Sequence, residues 1–247
     1  MKAFAIRWSP LLIVALAWEL APRTGLVDPA ALPPLSAVLA ATWRLTLTGD
    51  LPLNAAYSMW RLVAGLSLAV VVGVSLGLAM AWYRPMRIVF EPLARCIYPM
   101  PKSALIPLLL LWLGLGDPSK IALIFLGSLL PVLLSTFNGV RGLDPMLVWS
   151  ARSLGRSRFQ VLREVALPAA LPDILVGIRT ALALSFILLV SSEFLMASNG
   201  LGYMISFLGD GGVYDAMFAC VLVVSLLGFA ADRLFLLLMR RAVVHRG

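Results

Sequence analysis

Residues capable of nucleophilic chemistry are few in this sequence. Ser75 lies in Gly73-Val-Ser-Leu-Gly77, which matches the hydrolase nucleophile pattern G-x-S-x-G. That pattern needs a strand–turn–helix context and a histidine partner. Here it falls inside the uncharged apolar run Leu62–Trp82, and the single histidine, His245, is in the C-terminal tail. We therefore do not expect Ser75 to be a nucleophile.

Nucleotide and metal sites also lack their signatures. The nearest approach to a phosphate loop, Gly114 to Lys120, has no adjacent Gly-Lys pair. Cys96 and Cys220 are too few for a disulfide framework or a metal site. We expect no catalytic residue, metal or cofactor in this chain, and a membrane-embedded enzyme would lack residues for acid–base chemistry.

Glu193 is the sharpest single candidate for a functional role. It lies near the end of an apolar run that contains Arg179 near its start. A carboxylate inside a membrane is costly and faces a cavity or a partner, but hydration at the outer interface is the alternative. Arg179 cannot bond to it within one helix, because the two lie about 21 Å apart at roughly 1.5 Å per residue. Weaker candidates for a translocation path in the same run are Ser185, Ser191, Ser192 and Met196.

The composition predicts a membrane protein. Of the 247 residues, 61% are hydrophobic and 13% are charged, whereas soluble domains have about one quarter charged residues. The length suits about six spans of roughly 20 residues with short loops. The net charge of +8 could serve nucleic acid, but the basic residues are divided among short segments between apolar runs, as membrane topology requires. We expect an all-α polytopic membrane protein that binds no nucleic acid.

Six apolar runs mark the expected spans. They cover Trp8–Ala21, Leu62–Trp82, Ser103–Leu115, Ile121–Val140, Ile174–Met196 and Tyr214–Met239. The first run also fits a secretory signal, but Trp18 and Glu19 near its end favour a retained span. Pro99, Pro101 and Pro107 predict a broken helix in the third, which either borders a transport path or is an ordinary kinked packing helix.

Packing and orientation follow from smaller features. Gly73 and Gly77 are spaced for close approach of two helices, and Ser36–Thr46 fits an interfacial helix. If the spans alternate, both termini, segment 84–95 and the loop after residue 141 share the side that is richer in Lys and Arg. The positive-inside rule makes that side cytoplasmic.

The longest amphipathic stretch is residues 149–168, WSARSLGRSRFQVLREVALP. Asp144 before it is suited to an N-cap, with proline at the first helical position. Gly155 follows the expected short helix, roughly Pro145 to Leu154, where a glycine turns easily. A second helical run reaches Pro168, where the missing N–H predicts a bend.

This stretch resembles the cytoplasmic loop of permease subunits of ATP-binding-cassette (ABC) importers, written E-A-A, three residues, G, nine residues, I, one residue, L-P. The frame matches at Ala151, Gly155, Val165, Leu167 and Pro168. Trp149 and Ser150 replace the usual Glu and Ala. The surrounding sequence is similar to that of the importer branch that handles sulfonates, taurine and nitrate. The resemblance covers roughly residues 55–240, including the segments 98–107 and 193–203.

The resemblance implies a type I importer permease, with a single transmembrane domain over residues 1–247 and a coupling loop at 144–168. ATP and Mg²⁺ would be bound by two separate ATP-binding subunits. Other implied partners are a second permease copy, most simply in a homodimer, an extracytoplasmic solute-binding protein and membrane lipid. The implied location is the bacterial inner membrane, with both termini cytoplasmic. The implied solute is a sulfonate, taurine, nitrate or similar small molecule, or a vitamin or its precursor.

Docking on the ATPase is the role that the resemblance implies for the loop. The residues expected to take part are Trp149, Ser150, Ala151, Arg152, Leu154, Gly155, Arg156, Phe159 and Pro168. Small residues permit close approach, Leu154 and Phe159 supply apolar anchors, and Arg152 and Arg156 would meet acidic groups at the rim. The alternatives are a solvated loop that only sets topology and, for the whole chain, an ion-coupled carrier or channel acting without an ATPase.

Overall fold

The computed structural model describes residues 2–244, without the side chains of residues 2–8, 196 and 242–244. His245 therefore lies outside the described residues. The described part is built from helices. They are α1 Lys2–Arg23, α2 Leu35–Thr48, α3 Asp50–Trp82, α4 Arg84–Ile97, α5 Ile106–Leu113, α6 Asp117–Arg141, α7 Pro145–Ser153, α8 Arg158–Val161, α9 Leu167–Met196, α10 Leu201–Asp210 and α11 Tyr214–Val244. A 3₁₀ turn, Lys102–Leu105, precedes α5, and a π turn, Leu162–Ala166, precedes α9.

The membrane architecture expected from composition is confirmed. Within the described residues, four helical runs are long and apolar enough to cross a membrane: α3, α6, Arg158–Leu195 and α11. The α4 helix and the Lys102–Leu113 segment meet at 94° and can form one further, broken span. The break falls at Pro99 and Pro101, as those prolines predicted. The described residues thus support four or five spans where six were expected.

One helix start and one additional helix are the main differences from the sequence prediction. The second predicted span is longer than expected, because α3 begins at Asp50 and has 33 residues. The segment between the last two spans, which is interrupted by glycines at 200, 202, 209, 211 and 212, contains the additional helix α10. Leu201 and Met204 are buried and give this short helix an apolar face. Helix α1 is present, while its role as a membrane span stays a prediction.

The first of two compact units takes in the described residues up to Ser58 together with Glu193–Leu227. Its core joins α2 to the start of α11 through Val38, Ala41, Ala216 and Ala219. Small side chains at these positions allow two helices to pack closely. The interfacial helix predicted for Ser36–Thr46 is confirmed as a helix by α2.

The second unit takes in Met59–Ser192 and the described residues from Gly228 onward. Here the predicted close approach at Gly73 and Gly77 is confirmed. A Cβ on Gly73 would lie 2.9 Å from the Cβ of Val132, and one on Gly77 would lie 2.7 Å from the carbonyl oxygen of Leu133. These glycines therefore let α3 pack directly on α6. Ser75 lies inside the same helix, without the strand–turn context that a hydrolase needs.

Candidate functional site

The segment between α6 and α9 begins with a capped helix. The Asp144 side chain accepts a hydrogen bond from the backbone N–H of Met146 at 2.9 Å, and Pro145 occupies the first helical position. Aspartate is among the best N-cap residues, and proline is well suited to the position after it. The predicted N-cap is therefore confirmed, and α7 is a defined helix of nine residues.

The turn after α7 depends on Gly155. Its φ of +79° lies in the left-handed region, where a Cβ is disfavoured. The next helix starts with a capping box, in which the Ser157 hydroxyl accepts from the Gln160 N–H at 3.3 Å and the Gln160 side chain accepts from the Ser157 N–H at 2.8 Å. The Ser-x-x-Gln spacing at 157–160 is a signal that could have located this helix start from sequence. The predicted helix–glycine turn–helix order is confirmed.

The bend predicted at Pro168 takes a different form. Helical structure continues from Arg158 to Leu195. The wide π turn Leu162–Ala166 comes immediately before α9, whose second residue is Pro168. A proline in a helix removes one backbone donor and crowds the preceding turn. A wider turn at that point relieves the crowding, so the chain continues without a break.

Bulky apolar side chains project from this segment. Trp149 is 63% exposed, Leu154 is 82% exposed and Phe159 is 66% exposed. Ser150 and Arg152 are exposed as well, whereas Ala151 is buried. Exposed apolar surface of this size within one short segment is typical of an interaction site. Because Ala151 is buried, it does not lie on the exposed face of α7.

The predicted rim arginines differ in their surroundings. Arg156 forms an ion pair with Glu164 of its own chain at 3.2 Å, and both side chains are about half exposed. Such an exposed pair contributes little to stability. Arg156 directly follows the glycine turn at Gly155, whereas Arg152 lies in the last helical turn of α7.

Glu193 has a fully buried position in the first unit. Its side chain is 0% exposed, so the interpretation of a hydrated interfacial carboxylate is wrong. Its Oε2 accepts a hydrogen bond from the Ser58 hydroxyl at 2.7 Å and from the Gly202 N–H at 3.0 Å. A buried carboxylate needs such donors to offset its lost hydration.

The same cluster holds the start of α10. The Ser58 oxygen also accepts from the Leu201 N–H at 2.9 Å, and Asn54 accepts from the Gly200 N–H at 2.6 Å. Helix N-termini leave backbone N–H groups without partners inside the helix. Asn54, Ser58 and Glu193 satisfy three successive ones. We name these three residues the Glu193 cluster; Asn54 and Ser58 were missed because no local pattern links them to residue 193.

The other path candidates lie along α9. Each serine donates to a carbonyl oxygen of its own helix: Ser185 to Leu182, Ser191 to Ile187 and Ser192 to Leu189. Ser185 and Ser192 are buried, Ser191 is partly exposed, and the Met196 side chain lies outside the described residues. A role for these residues in a translocation path stays a prediction.

Arg179 pairs with α11. Its guanidinium donates to both carboxylate oxygens of Asp232, at 2.7 and 3.2 Å. Two parallel bonds of this kind fix geometry as well as charge. Asp232 thus has a structural role, because it joins α11 to α9. Within the described residues, no cluster of metal-ligating side chains is found.

More than half of the chain matches a known protein family. Residues 69–244 match the family described as binding-protein-dependent transport system inner membrane component. The chain is 34% identical over 244 residues to the taurine transport system permease protein TauC of Escherichia coli, covering 96% of this chain and 88% of TauC. It is 29% identical over 177 residues to the bicarbonate transport system permease protein CmpB of Synechococcus elongatus, covering 71% of this chain and 64% of CmpB.

The fold is also found among solved structures. A structure of the MetNI methionine ABC transporter in an inward-facing conformation superposes with a TM-score of 0.69 and 16% identity. The match covers 80% of this chain and 98% of the matched chain. Together with the apolar helices, the family makes this a multi-pass inner membrane protein that works with ATP-binding subunits and a binding protein. The chain belongs to the binding-protein-dependent inner membrane transport components, and it is the transmembrane permease subunit of an ABC importer.

Proposed function

We propose that this permease imports a small solute carrying an oxyanion group, and that segment 144–168 couples the import to ATP hydrolysis on separate subunits. The observation that carries the coupling is the exposure of Trp149, Leu154 and Phe159 on a helix–turn–helix segment in which both helix starts are capped. A solvated loop that only sets topology does not need three large apolar side chains in water.

The solute class is inferred from the named relatives. Taurine carries a sulfonate group, and bicarbonate is itself a small oxyanion; these are the solutes in the names of TauC and CmpB. Both groups offer several acceptor oxygens and one negative charge to a binding site. The shared chemistry of the two is therefore the best guide to the solute of this chain.

The coupling proposal is mechanical. ATP and Mg²⁺ bind to the two ATP-binding subunits, and α7 lies in a groove on one of them. Closure of the ATP-binding subunits moves α7 as a rigid body, and the attached helices rock between inward-open and outward-open states. The caps at Asp144 and Ser157 keep the segment rigid enough to transmit this motion.

Assembly follows from topology and symmetry. Six spans result when α1 and the broken α4–α5 pair are counted with the four apolar runs. The side richer in Lys and Arg is then cytoplasmic, with both termini and α7 on the side of the ATP-binding subunits. One chain supplies half of the pathway, and a second copy related by two-fold symmetry completes it. A solute-binding protein delivers the solute from the opposite side.

The test is complex formation with the ATP-binding subunit encoded nearest to this gene. Leu154→Asp removes an apolar anchor, and a buried leucine contributes about 1.5–3 kcal/mol. We expect the affinity of the purified permease for the ATPase to fall at least tenfold, with coupled ATP hydrolysis lost. Gly155→Pro, which removes the left-handed turn, has the same expected effect.

Leu26→Asp is the matched control, because Leu26 is 81% exposed and lies outside segment 144–168. It should bind the ATPase as the wild type does. Equal affinities for wild type, Leu154→Asp and Gly155→Pro would reject the coupling role. A wild-type chain that binds no ATP-binding subunit would reject it as well.

A further inference from the structure

A cavity of about 530 Å³ lies in the second unit beside the break between α4 and α5. The break contributes Tyr98, Met100 and Lys102 to its wall, and α6 and α9 contribute the rest. This volume lies within the range of roughly 300–1,000 Å³ that is typical of small-molecule sites. The cavity adjoins the broken helix that the prolines predicted.

Lys102 is the charged side chain among the described residues of this wall. Its ammonium donates to the carbonyl oxygens of Ile97 at 2.6 Å and Met100 at 2.7 Å, with a longer contact to Tyr98 at 3.4 Å. The end of α4 leaves carbonyls without helical donors, and the prolines that follow have no N–H to offer. All three acceptors are neutral, so they hold the ammonium in place without cancelling its charge.

The rest of the wall suits the other parts of a small oxyanion. Ser135 and Asn138 on α6 bring a hydroxyl and an amide group to the cavity, and these groups donate hydrogen bonds to anionic oxygens. Thr180 on α9 also lines the wall, but its hydroxyl donates to the carbonyl oxygen of Val176 at 3.1 Å. Leu134 and Leu184 supply apolar surface for a short carbon chain. Ammonium, hydroxyl, amide and alkyl surfaces thus border one volume.

The position of Lys102 has an energetic reason. A charged side chain within an apolar helical protein is costly, and it is kept where it faces the interior or a water-filled cavity. Its stem packs over α6 at Gly127, where a Cβ would lie 3.8 Å from the Cγ of Lys102. The stem is thereby held against the protein, with the charge at the cavity.

We propose that this cavity binds the oxyanion group of the solute in transit, with Lys102 as its charge partner. The inference rests on the proposed function, which makes the solute a small oxyanion. An adjoining cavity of about 210 Å³ shares Ser135 and Asn138 and carries Asp173. A carboxylate repels an anion, so the oxyanion lies on the Lys102 side of the shared residues.

The test measures charge selectivity at the cavity wall of the purified full-length chain. Ser135→Cys in a Cys96→Ser background is labelled with an anionic reagent, sulfonatoethyl methanethiosulfonate, and with its cationic trimethylammonium counterpart. The remaining Cys220 is 0% exposed and should stay unlabelled. Leu26→Cys, in the same background, gives the intrinsic ratio of the two labelling rates at an exposed loop position.

We expect the anionic-to-cationic rate ratio to be about tenfold higher at Ser135→Cys than at Leu26→Cys, because a nearby ammonium attracts the sulfonate. Excess sodium ethanesulfonate should slow labelling, whereas ethylammonium chloride at equal ionic strength should not. Lys102→Met should abolish both effects, and Lys102→Arg should keep them. Asn138→Leu, which retains the charge, should weaken the protection but keep the preference, so it serves if Lys102→Met does not fold.

Equal rate ratios at the two positions would overturn the proposal, as would protection that survives Lys102→Met. The assay contains no ATPase. A chain that binds the ATPase but shows no anion preference loses only this site. A chain with the anion preference but no ATPase binding loses only the proposed coupling.

Discussion

Two charges within apolar parts of this protein have opposite environments. Glu193 is completely buried, and its carboxylate accepts from Ser58 and from the N–H of Gly202. Lys102 is partly exposed, and its ammonium donates to backbone carbonyls at the edge of a cavity of about 530 Å³. Each charge completes a helix end, the carboxylate at the start of α10 and the ammonium at the end of α4.

The difference lies in the space around each charge. The carboxylate of Glu193 is fully enclosed by the protein, whereas a solute-sized volume remains open beside Lys102. A costly charge can therefore be retained for stability or for binding, and the charge alone does not distinguish the two. Mutations that separate stability from solute recognition test this distinction.

Removing the carboxylate of Glu193 should have the largest effect on stability. Glu193→Ala leaves the Gly202 N–H and the Ser58 hydroxyl without this acceptor, and each unsatisfied buried group costs about 1–3 kcal/mol. We expect the free energy of unfolding to fall by about 3 kcal/mol or more, measured by denaturation in detergent.

Glu193→Gln is the matched variant, since its amide oxygen still accepts a hydrogen bond. It should lose about 1 kcal/mol and keep solute uptake. Normal stability of Glu193→Gln together with abolished uptake would contradict the structural role and return Glu193 to the translocation path.

Gly200→Ala tests the same cluster from the backbone. Gly200 has a φ of +108°, and a Cβ there would run into the Glu193 carboxylate. Gly25 also has a positive φ, +75°, but a Cβ there would meet nothing within 4 Å. The strain alone costs about 1–2 kcal/mol, so Gly25→Ala should lose that much and Gly200→Ala about 1 kcal/mol more. Equal losses in thermal unfolding would show that the cluster tolerates displacement.

The coupling segment could be predicted closely from sequence because its determinants are local. Asp144, Pro145 and Gly155 act on backbone groups a few residues away, so their order along the chain specifies helix and turn. The π turn before Pro168 was missed, because a proline in a helix can be accommodated by a bend or by a wider turn.

The two charged environments could not be predicted in the same way. Ser58 and Glu193 are 135 residues apart, and no spacing rule relates them. The cavity beside Lys102 is formed by three separate parts of the chain, and open volume is a property of packing. Glu193 is conspicuous in the sequence because it interrupts an apolar run, whereas Lys102 follows Pro99 and Pro101 in a mixed segment and is not.

Lys102 should affect uptake more than stability. In Lys102→Met, water from the open cavity can bind the carbonyls of Ile97 and Met100, so the midpoint of thermal unfolding should fall less than in Glu193→Ala. Uptake of a small sulfonate into proteoliposomes containing the complete transporter should fall about tenfold, and Lys102→Arg should retain most of it. A large loss of stability with unchanged uptake per folded transporter would make Lys102 a second structural charge.

Asp173 should have the smallest effect. It is exposed and lies on the adjoining cavity that shares Ser135 and Asn138, so solvent screens most of its field. Asp173→Asn should raise the anionic-to-cationic labelling ratio at Ser135→Cys by about twofold, because a weak repulsion is removed. An increase as large as the one expected from Lys102 would mean that both charges act on one continuous volume, and the bound solute would then have to satisfy a carboxylate as well as an ammonium. An aminosulfonate carries both complementary groups, so the size of this change would separate simple sulfonates from zwitterionic ones.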